Sequence, residues 1–268
     1  MKFLSRLFSR KKSPAPLPAA TDLANDASQD AETLQQAVRQ AGHERMDRHW
    51  RSVGQLESDV LTYLISPGLS GSAQWPSTRQ AYRVVRRGES LLLATDGLSD
   101  PFDGVEGMGN GFEMELFLET SDLPETMRGE AGQVDALKGS WAFELLEHVA
   151  STVADAGGIT HQLEQYGVLS LELPGVSQSR SIAAQVPARF VSADDCIGVL
   201  LGGPGPDFPT RLEDMPLSPV TLVPVVLITA AELDYVRAGG GAARAQLVAR
   251  LAGAGVLGTS SLQRDSVV

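Results

Sequence analysis

The residues best suited to chemistry crowd into one acidic stretch, Asp96, Asp100, Asp103 and Glu106. Carboxylates this close could hold a divalent cation, and a metal-dependent hydrolase using these four residues is one reading. The spacing lacks the alternating oxygens and the closing Glu of an EF-hand loop. Asp96-Gly97 and Asp103-Gly104 are turn dipeptides and Asp100-Pro101 favours turn initiation, so turn formation competes with metal binding. His43, His49, His148 and His161 are scattered, with no pair at the i, i+4 spacing of a zinc helix. Cys196 stands beside Asp194 and Asp195, whose charge opposes a thiolate nucleophile, so packing is expected of it. No Gly-x-Ser-x-Gly elbow occurs. Gly107-Met-Gly109-Asn-Gly111 precedes a strand, whereas a phosphate loop follows one. Leu201-Gly-Gly-Pro-Gly-Pro206 does follow a strand, but its prolines remove amide donors. Trp50, Trp75 and Trp141 read first as core or core-rim residues. No constellation specifies a reaction, and none calls for a cofactor or a metal.

The elements that would carry these residues are set by periodicity. Ala31 to Gln40 and Glu44 to Ile65 show apolar spacings of three and four, which predicts helix, stopped by Pro67 and Gly68. Tyr82 to Val85 and Ser90 to Thr95 alternate about a turn containing Gly88, which predicts a hairpin. In Gly111 to Thr120, Phe112, Met114, Leu116 and Leu118 alternate with Glu113, Glu115 and Glu119, which predicts a strand with one buried and one acidic, exposed face. Ser140 to Ala156 carries Ala142, Leu145, Leu146, Val149 and Val153 on one helical face and ends at Gly157-Gly158. Strands are expected at Val168 to Leu173, Ile197 to Leu201 and Val220 to Ile228. The last is apolar enough to be central, with a bulge or a partly unpaired edge near Pro224. Thr229-Ala-Ala-Glu232 is a capping box opening a helix, which Gly239-Gly-Gly241 breaks and Ala243 to Ala252 resumes. The expected class is α+β, a mixed, mostly antiparallel sheet flanked by helices.

With 268 residues, 43% of them hydrophobic, the chain can bury a core without staples, and one cysteine excludes a disulfide scaffold. The net charge is −11, and five basic residues, Lys2, Arg6, Arg10, Lys11 and Lys12, precede the first acidic one, leaving −16 on the rest. Such a balance argues against nucleic-acid binding, which needs clustered Lys and Arg. Phe3, Leu4, Leu7 and Phe8 at helical spacing would let residues 1 to 12 lie on an anionic membrane surface, while a signal peptide or a spanning helix is not expected. Ser13 to Asp30, with Pro14, Pro16 and Pro18, reads as a linker. The expected organisation is a disordered head and linker over 1–30, one domain over 31–258 and a flexible tail over 259–268, in a cytoplasmic protein.

Asp96-Gly-Leu-Ser-Asp-Pro-Phe-Asp103, followed by Gly109-Asn-Gly-Phe-Glu-Met-Glu-Leu116, resembles the suppressor of fused family. The order of features over Gln55 to Leu251 is similar too. It runs through the helix around Trp141 to Ala154, the short strand and turn at Leu169 to Pro174, and a closing apolar strand entering the Thr229-x-x-Glu-Leu233 helix start. The resemblance implies a suppressor of fused-like α+β binding domain without enzymatic activity or cofactor. Animal members bind a transcription-factor peptide as an added strand. Phe102 stands where they have a peptide-contacting Tyr. No second lobe is expected after the last helix, and the loop between Asp103 and Gly109 is shorter than theirs, which puts transcription-factor sequestration in doubt. Stand-alone bacterial members resemble immunity proteins of polymorphic toxin systems, which bind and neutralise a partner toxin. An acidic body complements a basic toxin domain. Phe102, Asp103, Glu106, Glu113 and Glu115 are the expected partner contacts, an apolar anchor ringed by carboxylates. On the competing reading, Phe102 packs inward and the glutamates are a solvated face. The alternative function is a membrane-surface adaptor using the basic head.

Overall fold

The structure, a computed structural model, describes residues 20–63, 74–105, 109–203 and 206–268, with side chains from residue 33 onward. Residues 1–12 and Glu106 lie outside the described residues. The chain divides into two units, residues 1–37 and 38–268. The described part of the first is the start of helix α1 (Ala20–Val53). That helix begins inside the stretch assigned to a linker. Proline is confined to positions 14–18, and the Ala-, Asp- and Gln-rich sequence after it contains no helix breaker. Every described strand belongs to the second unit.

At its other end α1 stops at Gly54, short of the expected helix to Ile65. A Cβ on Gly54 would lie 2.6 Å from the Arg86 carbonyl oxygen, so only glycine lets the chain turn this close to the sheet. Beyond it, Leu56 and Leu61 fall in two edge strands, β1 (Gln55–Leu56) and β2 (Leu61–Thr62), both antiparallel to β3 (Ala81–Arg87), and residues 64 and 65 lie outside the described residues. The expected hairpin is present. β3 pairs with β4 (Ser90–Asp96) through a turn at Gly88, where φ is +56°. β5 (Met114–Thr120) comes next, then α2 (Glu125–Arg128), α3 (Trp141–Asp155), α4 (Thr160–Tyr166), β6 (Val168–Pro174), α5 (Ser181–Gln185), β7 (Cys196–Gly202), β8 (Arg211–Leu212), β9 (Val220–Ile228) and α6 (Ala230–Gly253). The sheet order is β1-β3-β4-β5-β9-β7-β6, with only β5 and β9 parallel. This is the α+β, mostly antiparallel architecture expected.

β9 is central, and Pro224 is its switch point. Up to Pro224 it pairs with β5, and from Val225 to Ile228 it pairs with β7. A residue without an N–H cannot continue a two-sided ladder, so the sheet splays there. Both faces of the sheet are covered. On one face the stripe of α3 (Trp141, Ala142, Leu145, Leu146, Val149, Val153) packs on Val84, Leu93, Leu116 and Val223. On the other, Met46 and Trp50 of α1 meet Leu92, Phe117 and Leu222, and α6 meets Leu200, Val226 and Ile228 through Leu233, Val236, Leu247 and Leu251. α6 is broken at Gly240 (φ 58°, ψ −140°), so its two arms fold back and Arg250 lies over the Tyr235 ring, 5.1 Å from its centroid. Among the described residues, no helix is long and apolar enough to cross a membrane.

His49 is buried in the α1 layer, edge-on to Trp50 and Phe208 at 5.0 and 5.8 Å, and its Nε2 has no hydrogen-bond partner. Burial, with help from the Arg45 charge, lowers its pKa from 6.5 to about 4. The folded state resists the proton, so this stability is present above pH 6.5 and is lost as pH falls towards 4. The loss is roughly 1–3 kcal/mol after solvent screening. Thermal melts of wild type and His49→Gln should therefore differ in slope between pH 7 and pH 4.5, with the variant flatter. Parallel profiles would remove His49 from the acid response.

Candidate partner-binding cleft

The loop after β4 is built by two glycines. The turn closes with Asp100 N–H donating to the Gly97 carbonyl at 3.2 Å. Gly97 has φ +145°, and a Cβ there would meet the Arg79 carbonyl at 2.5 Å. Gly111 has φ +51°, and a Cβ there would meet the Leu98 carbonyl at 2.5 Å. The Gly-Leu-Ser-Asp and Gly-Phe-Glu motifs are thus packed backbone to backbone, tied by Phe112 N–H donating to Leu98 at 2.8 Å. Leu98 is fully buried and pins the turn to the core.

The loop's carboxylates are engaged internally. Asp96 is buried and receives both arms of the Arg79 guanidinium, with Arg83 Nε 2.5 Å away. Burial alone would raise its pKa, but Arg79 and then Arg83 outweigh burial and hold it low. Arg83 also pairs with Asp47 at 3.0 Å. Asp100, also buried, accepts from the Ser77 hydroxyl at 2.8 Å and contacts His43 Nε2 at 3.1 Å. Asp103 is exposed, with one oxygen paired to Arg39 and the other accepting from Thr78 N–H at 3.0 Å. Arginines thus neutralise carboxylates that a metal site would need free. Among the described residues, no three His, Cys, Asp or Glu side chains converge as metal ligands.

Glu113 and Glu115 are not the exposed acidic face expected of them. The strand starts at Met114, three residues later than the alternation indicated. Glu113 precedes it in a left-handed turn (φ 56°), half-buried, with its carbonyl accepting from Thr221 N–H at 2.9 Å. Glu115 is 1% exposed. Its Oε1 accepts from Gly97 N–H (3.0 Å), Ser99 N–H (2.9 Å) and the Ser99 hydroxyl (2.7 Å), and its Oε2 from the Thr95 hydroxyl (2.5 Å). Glu119 is buried as well, bound to Arg87 and Ser90. Helices on both faces turn the polar side of β5 into a second interior. The glutamates that alternation assigns to solvent serve as hydrogen-bond hubs there.

Among the described residues, a cleft of about 540 Å³ lies beside this turn. Trp75, Phe102, Val105 and Phe112 give it apolar walls, with Asp103 and Asp155 among its polar lining. Phe102 is half-buried and meets Phe112 edge to face, ring centroids 5.6 Å apart. Val105 is 44% exposed. A smaller cavity of about 210 Å³ near Pro224 has no aromatic lining. Of the five expected contacts, the structure brings Phe102 and Asp103 to the cleft, places Glu113 under the loop and buries Glu115. Trp75, Phe112 and Asp155 were missed. The one legible signal was an aspartate closing a helix just before Gly157-Gly158. Phe112 was assigned to a strand's core face, and Trp75 reaches the cleft only through the fold.

No family model matches the chain, and no curated protein matches it. The suppressor of fused resemblance therefore rests on the two short motifs and the order of the elements.

Proposed function

We propose that this chain is a non-catalytic protein-binding module, an immunity-type protein of a bacterial toxin system that occludes a basic toxin domain through the Phe102 cleft. The observation that carries the reading is the open apolar cleft itself. It is held on a turn whose carboxylates are already paired with Arg39, Arg79, Arg83 and His43. Groups consumed in this way hold a surface in place and are tied up as acids or bases. Partly exposed aromatics over a rigid support are the usual anchors of protein interfaces. The acidic body supplies long-range attraction to a basic partner. The motifs that resemble the suppressor of fused family are the same ones that build the cleft, and a cytoplasmic site of action fits the single unpaired cysteine.

The test is titration of a protein that co-purifies stoichiometrically with the full chain. Phe102→Asp and Val105→Asp should each weaken binding about 30-fold or more, since an anchor of this kind contributes about 2 kcal/mol. Val105→Asp removes no packed ring, so its melting temperature should stay at the wild-type value. Unchanged affinity in both variants would move the interface elsewhere.

A further inference from the structure

One end of the cleft is electrostatically unfinished. α3 runs for 15 residues and ends on Asp155, with no basic residue in its last turn. A helix C-terminus carries partial negative charge and favours a cation, so an aspartate there is placed against the dipole. Asp155 is exposed, and among the described residues it makes no ion pair. Among the described residues, the other acid lining the cleft is Asp103, which Arg39 neutralises. The negative potential is therefore concentrated at Asp155 and the end of α3, next to the Phe102–Phe112 aromatic pair. An unpaired like charge at a helix end is a local conflict that a bound cation relieves.

We infer that the cleft receives an arginine side chain of the partner, its guanidinium plane against one ring of the Phe102–Phe112 pair and its charge towards Asp155 and the C-terminus of α3. Arginine fits better than lysine because a planar, weakly hydrated cation can stack on a ring and still donate several hydrogen bonds. This inference rests on the protein-binding reading and specifies what that surface selects.

The test is an NMR titration of the full chain with three small probes. N-acetyl-arginine amide carries the cation, N-acetyl-citrulline amide keeps its shape without the charge, and N-acetyl-phenylalanine amide is apolar. The arginine probe should shift the signals of Phe102, Phe112 and Asp155 with about tenfold higher affinity than the citrulline probe. Asp155→Asn, an exposed change that removes a charge set against the helix dipole and so keeps or slightly raises the melting temperature, should reduce that preference clearly. Equal binding of the arginine and citrulline probes, or shifts confined to another surface, would overturn the inference. In that event, binding of the phenylalanine probe at the cleft would leave the protein-binding reading standing. Silence of all three probes at the cleft up to roughly 50 mM, well above the millimolar range of weak contacts, would remove both.

Discussion

Replacing Glu115 by lysine should unfold the domain, while replacing it by glutamine should leave it intact. A lysine would set a buried cation against the Gly97 and Ser99 N–H groups, all of them donors. Leaving those amides unpaired and burying an unmatched charge costs about 4 kcal/mol or more. That is a large fraction of the roughly 5–15 kcal/mol that keeps a domain folded. A drop of at least about 10 °C in melting temperature, or recovery only as aggregate, is expected. Glutamine keeps one oxygen for the three donors at Oε1, and its amide can donate to the Thr95 hydroxyl. Burial, and then the charge of Asp96, raise the Glu115 pKa. The folded state therefore binds this proton more readily than the unfolded chain. The stability tied to it is full below the ordinary carboxylate range and declines as pH rises through the raised value. Urea melts at pH 5 and pH 8 should show wild type losing ground to Glu115→Gln at the higher pH. A folded lysine variant with unchanged melting would show that Glu115 is not the hub of this turn.

Removing Arg264 should destabilise the protein nearly as much. Arg264 is 8% exposed and forms a two-pronged pair with the fully buried Glu232, at 2.6 and 2.5 Å. Glu232 is also the capping-box residue of α6, accepting from Thr229 N–H at 2.8 Å. One arginine thus joins the last ten residues to the start of a helix and to the Leu227 carbonyl, 3.0 Å away. Stripping one partner from a buried ion pair costs about 3–5 kcal/mol. Arg264→Met should lower the urea midpoint accordingly, and adding Glu232→Gln should recover part of the loss, as a double-mutant cycle requires of coupled residues. Burial opposes ionisation of Glu232, but Arg264 outweighs it and holds the pKa low. This stability is present above the ordinary carboxylate range and lost as pH falls through the lowered value, so the effect of Arg264→Met should shrink in acid. Strict additivity of the two substitutions would mean that the pair does not act as a latch.

The same segment shows why 259–268 is not the flexible tail expected of it. Ser260 is fully buried in the splay that Pro224 opens in the sheet. Its N–H donates to Glu119 at 2.8 Å, and its hydroxyl bridges Leu227 N–H and the Val225 carbonyl at 3.0 and 3.2 Å. Asp122 accepts from Leu262 N–H and the Ser261 hydroxyl, both at 2.7 Å. A short polar run has no periodicity to reveal this, because its partners are backbone groups of β5 and β9 and the Asp122 carboxylate, all more than thirty residues away.

For the cleft, Gly97, Leu98 and Phe102 were legible as a turn carrying an apolar anchor, because turn chemistry is local. The pairing of Asp96 with Arg79 and Arg83 was not, since it depends on β3 and β4 lying side by side with Asp96 opposite Ala81. Local pattern by itself determined the helix stripe of α3, the β3–β4 hairpin, the capping box at Thr229, the break at Gly239-Gly-Gly241 and the central place of β9. Each is set by interactions within a few residues or by an unbroken apolar run. Only the tertiary structure decided that α1 and α6 cover the second face of the sheet. That covering buried Glu115 and Glu119 and docked the C-terminal segment. Alternation records which side of a strand is polar, and whether that side meets water or another layer depends on elements distant in the chain.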